Sequence, residues 1–421
     1  MITDGLELID PSSYASRGYP HETWSRLRAE APVHWCEPAG FEPFWAITRH
    51  LDICEISKQP EVFRNELGPM VLTDEQIRGM RERIAAGEPP GFGGMRTLIE
   101  MDPPEHQAFR AVANSWFTPN NLKNLDHLVE ESARRLVDEL MEHHGETIDF
   151  AQQVAARHPL RILSQILGIE ASDEPYLLRA TNQLFANNDP EFQREGEDQD
   201  ASMMELGLEL YQFFSKIIQD RRAHPRDDLA SLLANARLDS GAMGDVETFG
   251  YYLIIFTAGH DTTRNAVSGG LAALLEHPDQ LEKLRANPDL DRKAVEEIVR
   301  WTSPVNYMRR TALHDVEVHG QTIREGEHLV MFYASANRDE SVFEDPYRFN
   351  IDRHPNRHIA FGYGEHFCMG THFARRSMRA LVEQLARRVE HWELAADPEW
   401  IRASFVVGLK HLPVRYQIRP S

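Results

Sequence analysis

The stretch from Asp245 to Glu276 constrains the fold more than any other part of the chain. It reads as one helix of roughly thirty residues, about 45 Å long at a rise of 1.5 Å per residue. Asp245 can cap its start. His277-Pro278 marks its end, because the residue before a proline is pushed out of the helical region. Phe249–Phe256 is apolar nearly all round, so the helix should be buried. Its middle breaks the pattern. Ala258-Gly-His-Asp-Thr-Thr263 brings together Gly, Asp and Thr, each a poorer helix former than Ala by up to ~1 kcal/mol. Thr262 follows Ala258 by four residues, so its hydroxyl can bond the Ala258 carbonyl and loosen the turn. A widened turn with a hydroxyl and an adjacent acid, Asp261, can hold water. A polar kink without chemistry would be written with the same letters, and the stretch alone leaves both readings open. His260 reads as structural.

A second feature is the run Phe361-Gly-Tyr-Gly-Glu-His-Phe-Cys368-Met-Gly370. It ends a glycine-punctuated loop on a cysteine. A helical pattern follows, with Ala374, Met378, Leu381 and Leu385 on one face and Arg375, Arg376 and Arg379 on another. A thiol at a helix start meets free N–H donors and the positive end of the dipole, both of which favour thiolate. Three readings compete. The cysteine is a small buried hydrophobe, or a zinc ligand, or a single thiolate ligand to haem. Zinc needs about four ligands, and the other cysteines, Cys36 and Cys54, lie far away without ligand spacing, although His366 is two residues off.

Bulk properties set limits. The 421 residues are 42% hydrophobic, enough for a sizeable core, and no clear linker, repeat or low-complexity tract divides them. A single domain over 1–421 is expected. The net charge of −21 argues against a general nucleic-acid or anionic-membrane binder. Three scattered cysteines, an acidic N-terminus without an apolar core, and no run of about eighteen apolar residues lead to an expected cytoplasmic protein without a membrane anchor.

Along the chain, Pro20–Ala31 and His50–Ser57 read as helices and Phe44–Thr48 as a strand. A polar, Gly/Pro-interrupted connection covers about 64–97, a lid over a pocket or a disordered surface loop. Pro103 and Pro104 start a helix on which His106 and Arg110 share a face. Helical periodicity fills roughly 122–145, 153–168, 172–188 and 202–223, with an exposed turn at Asn187–Asp200. Glu297 and Arg300 are spaced to pair on a further helix. Pro304 and Val305 begin an extended segment in which Arg309 and Arg310 point opposite ways. Val316–Gly320 and Gly326–Tyr333 read as strands of one small sheet.

The composite Phe-Gly-x-Gly-x-His-x-Cys-x-Gly resembles the haem-ligand loop of cytochromes P450, with His366 at a position that is usually Arg or His. Ala-Gly-x-Asp-Thr-Thr resembles the oxygen-activation motif of that family. The order of the His106 helix, this motif, Glu-x-x-Arg, a later arginine at Arg353 and the cysteine loop also matches, over nearly the whole chain. The resemblance implies a mainly α fold, the helical prism with a small β-sheet region, and haem b held by Cys368 as axial metal ligand. Phe361, His366 and Gly370 belong to its loop. Ala258 lies against the cofactor, and His106, Arg110, Arg310 and His358 hold its propionates, which call for several cationic donors. Glu297, Arg300 and Arg353 have a folding role.

The reaction implied is monooxygenation. Splitting O2 consumes two protons. Thr262 would hydrogen-bond the oxygen or its water, and Asp261 would relay protons as a positioned acid. Electrons would come from a ferredoxin, fed by an NAD(P)H-dependent ferredoxin reductase and docked on the face nearest Cys368, with Arg375, Arg376 and Arg379 as candidates for an acidic partner. The alternative for these arginines is a solvated helix face. The substrate-pocket candidates Leu98, Ile255, Ala258, Val305, Phe405 and Val406 are all apolar, so the substrate should be an apolar lipid. Glu296–Arg310 and Val330–Asn337 look most like bacterial enzymes that hydroxylate terminal methyl groups of sterol side chains and branched lipids. A sterol or steroid side chain is therefore expected, with a terpenoid or branched fatty acid as alternative. A non-catalytic haem-thiolate protein, or a peroxide-using one, would not need Asp261 and Thr262.

Overall fold

The central helix runs unbroken from Asp245 to Glu276. From Phe249 to Phe256 only Ile254 is less than buried. Helices Arg157–Ile166, Gln199–Ala223, Asp291–Thr302 and Thr371–Arg388 pack around it. This coat is what its apolar circumference requires, since lateral packing is the only way to bury such a helix. The computed structural model describes residues 2–65, 68–87, 95–186, 188–194 and 199–418. One detail departs from expectation. The N-cap is Gly244, without a side-chain cap, and Asp245 instead ion-pairs with Arg222.

A five-stranded sheet stands to one side, in the order Val33–Cys36, Phe44–Ile47, His328–Phe332, Tyr307–Ala312, Phe63–Arg64. Leu329 pairs with Arg310 and Val330 with Arg309. The two arginines leave the strand on opposite faces, because side chains alternate along a strand. Val316–Val318 pairs with Gln321–Ile323 as a separate hairpin. It was expected in the same sheet as His328–Phe332, but the tight turn at His319-Gly320, both with positive φ, folds it on itself.

The connection around 64–97 is not irregular throughout. Asp74–Ala85 is a helix, started by a capping box. The Gln76 N–H donates to Thr73 Oγ1 at 3.2 Å, and the Thr73 N–H donates to Gln76 Oε1 at 3.0 Å. None of its residues is buried. Residues 66, 67 and 88–94 of that connection, and Asn187 and 195–198 of the expected turn, lie outside the described residues. Among the described residues no helix is long and apolar enough to cross a membrane.

The Glu297–Arg300 pair is fully buried, and Arg353 joins it with Nε 3.2 Å from Glu297 Oε2. Glu297 also accepts from the Asn350 N–H and the Asn356 amide. Arg300 donates in turn to the carbonyls of Asn337 and Pro346. The knot ties the helix Asp291–Thr302 to the segment leading to the cysteine loop.

Candidate active site

Cys368 closes its loop by donating its N–H to the Phe361 carbonyl at 2.9 Å. Gly362 and Gly364 both take positive φ. At Gly364 a Cβ would sit 2.0 Å from the Ser57 carbonyl oxygen, so only glycine lets the loop lie on the helix His50–Ser57. Gly370 caps the helix Thr371–Arg388. The Phe361 ring lies under the Arg375 guanidinium, 4.6 Å from its carbon.

Cys368 is exposed. Ala258, in the middle of the buried central helix, is also exposed, and its neighbours Gly259 and Thr262 are half-buried. Residues that are deep and still carry open surface face an internal void. The Thr262 hydroxyl donates to the Ala258 carbonyl at 2.7 Å, the bond the spacing predicts. Asp261 beside it is buried, and its Oδ2 has no partner among the described residues.

The thiol itself differs from expectation. Burial pushes the Cys368 thiol up, outweighing the Gly370 N–H, the Thr371 hydroxyl and the more distant Arg110 and Arg375, which all pull it down. The helix start is therefore not enough to hold a thiolate. A bound metal ion does so outright.

Four cationic or imidazole side chains gather at one edge. Arg310 is 5% exposed and donates to the Arg309 carbonyl at 2.8 Å, and no carboxylate among the described residues ion-pairs with it. Its burial pushes the guanidinium down. Arg309, on the opposite face, is bound to Glu42. His106 is fully buried. Its Nδ1–H donates to Glu365 Oε1 at 3.2 Å, leaving Nε2 without a partner among the described residues. Burial, first, holds its pKa down. Arg110 donates to the Phe367 carbonyl at 2.7 Å. The His366 ring lies 4.1 Å from that of His106. Asn65 Nδ2 donates to His366 Nε2 at 2.9 Å, and the other ring nitrogen faces the Met101 carbonyl. Burial, together with Arg310, His106 and Arg110, drives the His366 pKa down to about 2. His366 is thus a neutral ring held by protein on both nitrogens, and offers stacking rather than a free donor.

A buried guanidinium without an ion-paired carboxylate among the described residues is costly unless an anion arrives, and His106, with its Nδ1–H on Glu365, would donate to that anion from Nε2 as an imidazolium. They fit a group with acidic arms. The open surface kept by Ala258 and by Cys368 leaves space for its body. These residues therefore fit haem, the group the resemblance implies.

His358 is engaged by the chain itself. Its Nε2 donates to Glu296 Oε2 at 3.1 Å, and the same carboxylate takes two bonds from Arg375. Burial alone would raise the Glu296 carboxyl, but His358 and Arg375 win and hold it at about 2. The arginines expected to face a partner are each engaged within the chain, Arg376 with Asp126 and Arg379 with Asp291.

The expected substrate contacts fall into two groups. Leu98 and Ile255 share one apolar cluster, where the short helix Leu98–Glu100 packs on the central helix. Val305 bridges to Val406, and the Phe405 carbonyl accepts from the Asn306 N–H at 2.9 Å. Sequence reasoning missed Asn65, Asp102, Glu365 and Glu296. Asp102 accepts from both nitrogens of Asn65 and so aims it at His366. Glu365, directly beside His366 in the loop, was the one with a visible signal.

Comparison with known proteins agrees with this geometry. The family model described as Cytochrome P450 matches residues 87–416. Cytochrome P450-terp of a Pseudomonas species is 36% identical over 97% of this chain and 96% of its own. Linalool 8-monooxygenase of Pseudomonas putida is 35% identical over 97% and 98%. Steroid C26-monooxygenase of Mycobacterium tuberculosis is 34% identical over 99% and 93%. A solved cytochrome P450 of Novosphingobium aromaticivorans superposes with a TM-score of 0.89 at 35% identity, covering 99% of this chain and 98% of the other. A cytochrome P450 of Mycobacterium marinum, solved with pseudoionone, gives 0.86 at 34%, covering 96% of each. Identity of this order over almost the full length places the chain in the cytochrome P450 family, whose members are monooxygenases that bind haem through a cysteine thiolate.

Proposed function

We propose that Cys368 is the thiolate ligand, that Arg310, Arg110 and His106 hold the propionates, and that the enzyme hydroxylates the end of a methyl-branched, isoprenoid-like apolar chain. The haem, when bound, activates O2 and inserts one oxygen atom: R–H, O2, two electrons and two protons give R–OH and water. The observation that carries the site is the buried Arg310 guanidinium, which no carboxylate among the described residues ion-pairs, together with the open surface kept by Cys368 and Ala258.

The chain's own residues do the rest. Thr262 keeps its hydroxyl hydrogen on the Ala258 carbonyl, so its half-buried oxygen can accept a hydrogen bond from water. Asp261 Oδ2 is uncommitted and can give a proton toward that hydroxyl. Glu365 orients His106, and Asp102 with Asn65 orients His366. His358 with Glu296 and Arg375 steadies the loop from the other side.

Linalool and pseudoionone are isoprenoids, and C26 of a steroid is a terminal methyl of its branched side chain. Their shared chemistry is a methyl-branched hydrocarbon end. Leu98, Ile255, Val305, Phe405 and Val406 offer such an end contact area without hydrogen bonds. A sterol side chain is one member of the class, and the terpenoid relatives weigh equally for the other. A ferredoxin supplies the electrons on the face nearest Cys368. Because Arg375, Arg376 and Arg379 are already paired, it meets a charge-balanced surface rather than three bare cations. The test is a spin-state titration of the haem protein with linalool, cholest-4-en-3-one and a methyl-branched fatty acid. A shift with at least one is expected. A shift only with a polar or aromatic control would refute the class.

A further inference from the structure

One side chain, Asn65, fastens the two ends of the connection between the strand Phe63–Arg64 and the helix Glu105–Asn114 to each other and to the cysteine loop. At the first end, the Asn65 N–H donates to both Asp102 oxygens, at 3.0 and 3.1 Å, and its amide donates to Oδ1 at 3.2 Å. Asp102 stands at the last end. The second amide hydrogen of Asn65 goes to His366 Nε2 at 2.9 Å. An amide nitrogen only donates, so Nε2 accepts and the hydrogen of the His366 ring sits on Nδ1. That nitrogen faces the carbonyl of Met101, the neighbour of Asp102. The face of the same ring meets His106, 4.1 Å away.

Asn65 has no hydrogen left for a cofactor. Its N–H and both amide hydrogens are spent on the chain, so it acts on haem through the chain. The clasp is buried, with Asn65 3% and Asp102 7% exposed, which makes its bonds costly to leave unmade. It lies where the candidate propionate donors gather. The helix Glu105–Asn114 carries His106 and Arg110. On the sheet side, Arg309, the neighbour of Arg310, takes the connection just past Asn65. Its N–H donates to the Pro69 carbonyl at 2.8 Å and its Nε to the Gly68 carbonyl at 3.2 Å. The strand Tyr307–Ala312 is held by its ladder and the helix by its own bonds. The two ends of the connection are joined to each other by side-chain bonds, which open without breaking an element.

We propose that the Asn65–Asp102 clasp is a gate that opens for haem to enter or leave its site. The idea rests on the reading of Cys368, Arg310 and His106 as that site. The clasp is made within the chain, so loaded and empty protein both hold it, and the open state between them lacks it. Removing it lowers the barrier from both sides by the same amount. Exchange becomes faster in both directions and the affinity is kept, as for any gate. A residue that touches the cofactor behaves differently, because its loss raises the loaded state alone.

The holoenzyme with Asn65→Ala tests this. Alanine removes the amide and introduces no clash. Haem transfer to an acceptor protein of similar affinity, followed to its end point, gives the rate and the final partition in one run. The rate is expected to rise about ten-fold, the weight of one net hydrogen bond, with the partition unchanged. The ferrous–carbon monoxide band is expected unchanged. Arg310→Leu is the contrast, since its faster transfer comes with a partition shifted toward the acceptor. Wild-type transfer in Asn65→Ala overturns the gate. So does faster transfer with the partition shifted in step, which is what a role confined to orienting His366 against His106 produces. A wild-type protein without the thiolate band means that the cofactor reading itself has failed, and the gate with it. Should the alanine variant not fold, Asp102→Asn decides, because its amide oxygen still accepts the Asn65 N–H and the clasp is weakened rather than lost. Transfer about three-fold faster at unchanged partition supports the gate, and unchanged transfer overturns it.

Discussion

Glu297 receives the Arg300 guanidinium through two bonds of 2.8 Å, Nε to Oε2 and Nη2 to Oε1, with both side chains fully buried. Arg353, Asn350 and Asn356 share the same carboxylate. Removing it strands two arginines in the interior. Glu297→Ala is expected to cost about 3–5 kcal/mol, read as a lower urea midpoint of the holoenzyme. A variant that folds with wild-type stability would show that the knot does not hold the loop.

Glu296 gives a pH prediction. Its folded-state pKa is depressed from 4.5 to about 2, so its ion pairs with His358 and Arg375 stabilise the fold fully above the unfolded value. That contribution is lost as pH falls from about 4.5 toward about 2. Glu296→Gln should therefore be less stable near neutrality and lose less over the acid window. Parallel wild-type and variant curves of melting temperature against pH would contradict the pairing.

Arg310 separates haem retention from folding. Arg310→Leu removes a buried cation that lacks a carboxylate, so the apoprotein should be no less stable. The holoenzyme should lose a charged hydrogen bond of roughly 1.5–3 kcal/mol, and haem transfer to an acceptor protein should speed up about ten- to hundred-fold. Unchanged haem transfer would remove Arg310 from the propionate site.

Thr262→Ala should leave substrate-induced spectral shifts intact, because the hydroxyl bonds the Ala258 carbonyl and not an apolar substrate. Product per NADH should drop several-fold with peroxide rising. Full coupling would sink the role of the hydroxyl in proton delivery.

The sequence carried the parts of this site that depend on local spacing. Thr262 and Ala258 are four apart on one helix, Glu297 and Arg300 three apart, and Arg309 and Arg310 adjacent on a strand, so helix and strand periods alone set their geometry. What it missed depends on long-range contact. Glu296 meets His358 and Arg375 from another helix, Asp126 and Asp291 neutralise Arg376 and Arg379 across element boundaries, and Asp102 aims Asn65 at His366. No period in the chain announces such partners. The helix Asp74–Ala85 was legible in principle, through Thr73 and Gln76 as a capping box and Ile77, Met80 and Ile84 on one face, but its central Gly79 and largely charged remainder obscured it. His260, which reads as structural in the sequence, places Nε2 3.0 Å from the Ala156 carbonyl, a partner that no local spacing announces.

The central claim, that Cys368 holds the haem iron as thiolate, is tested most directly by the absorption spectrum of the reduced, carbon monoxide-bound protein. The account predicts the red-shifted Soret band of a thiolate-ligated haem in the wild type and its loss in Cys368→Ala. A wild-type band at the position given by histidine-ligated haem, or an undiminished thiolate band in the alanine variant, would contradict it.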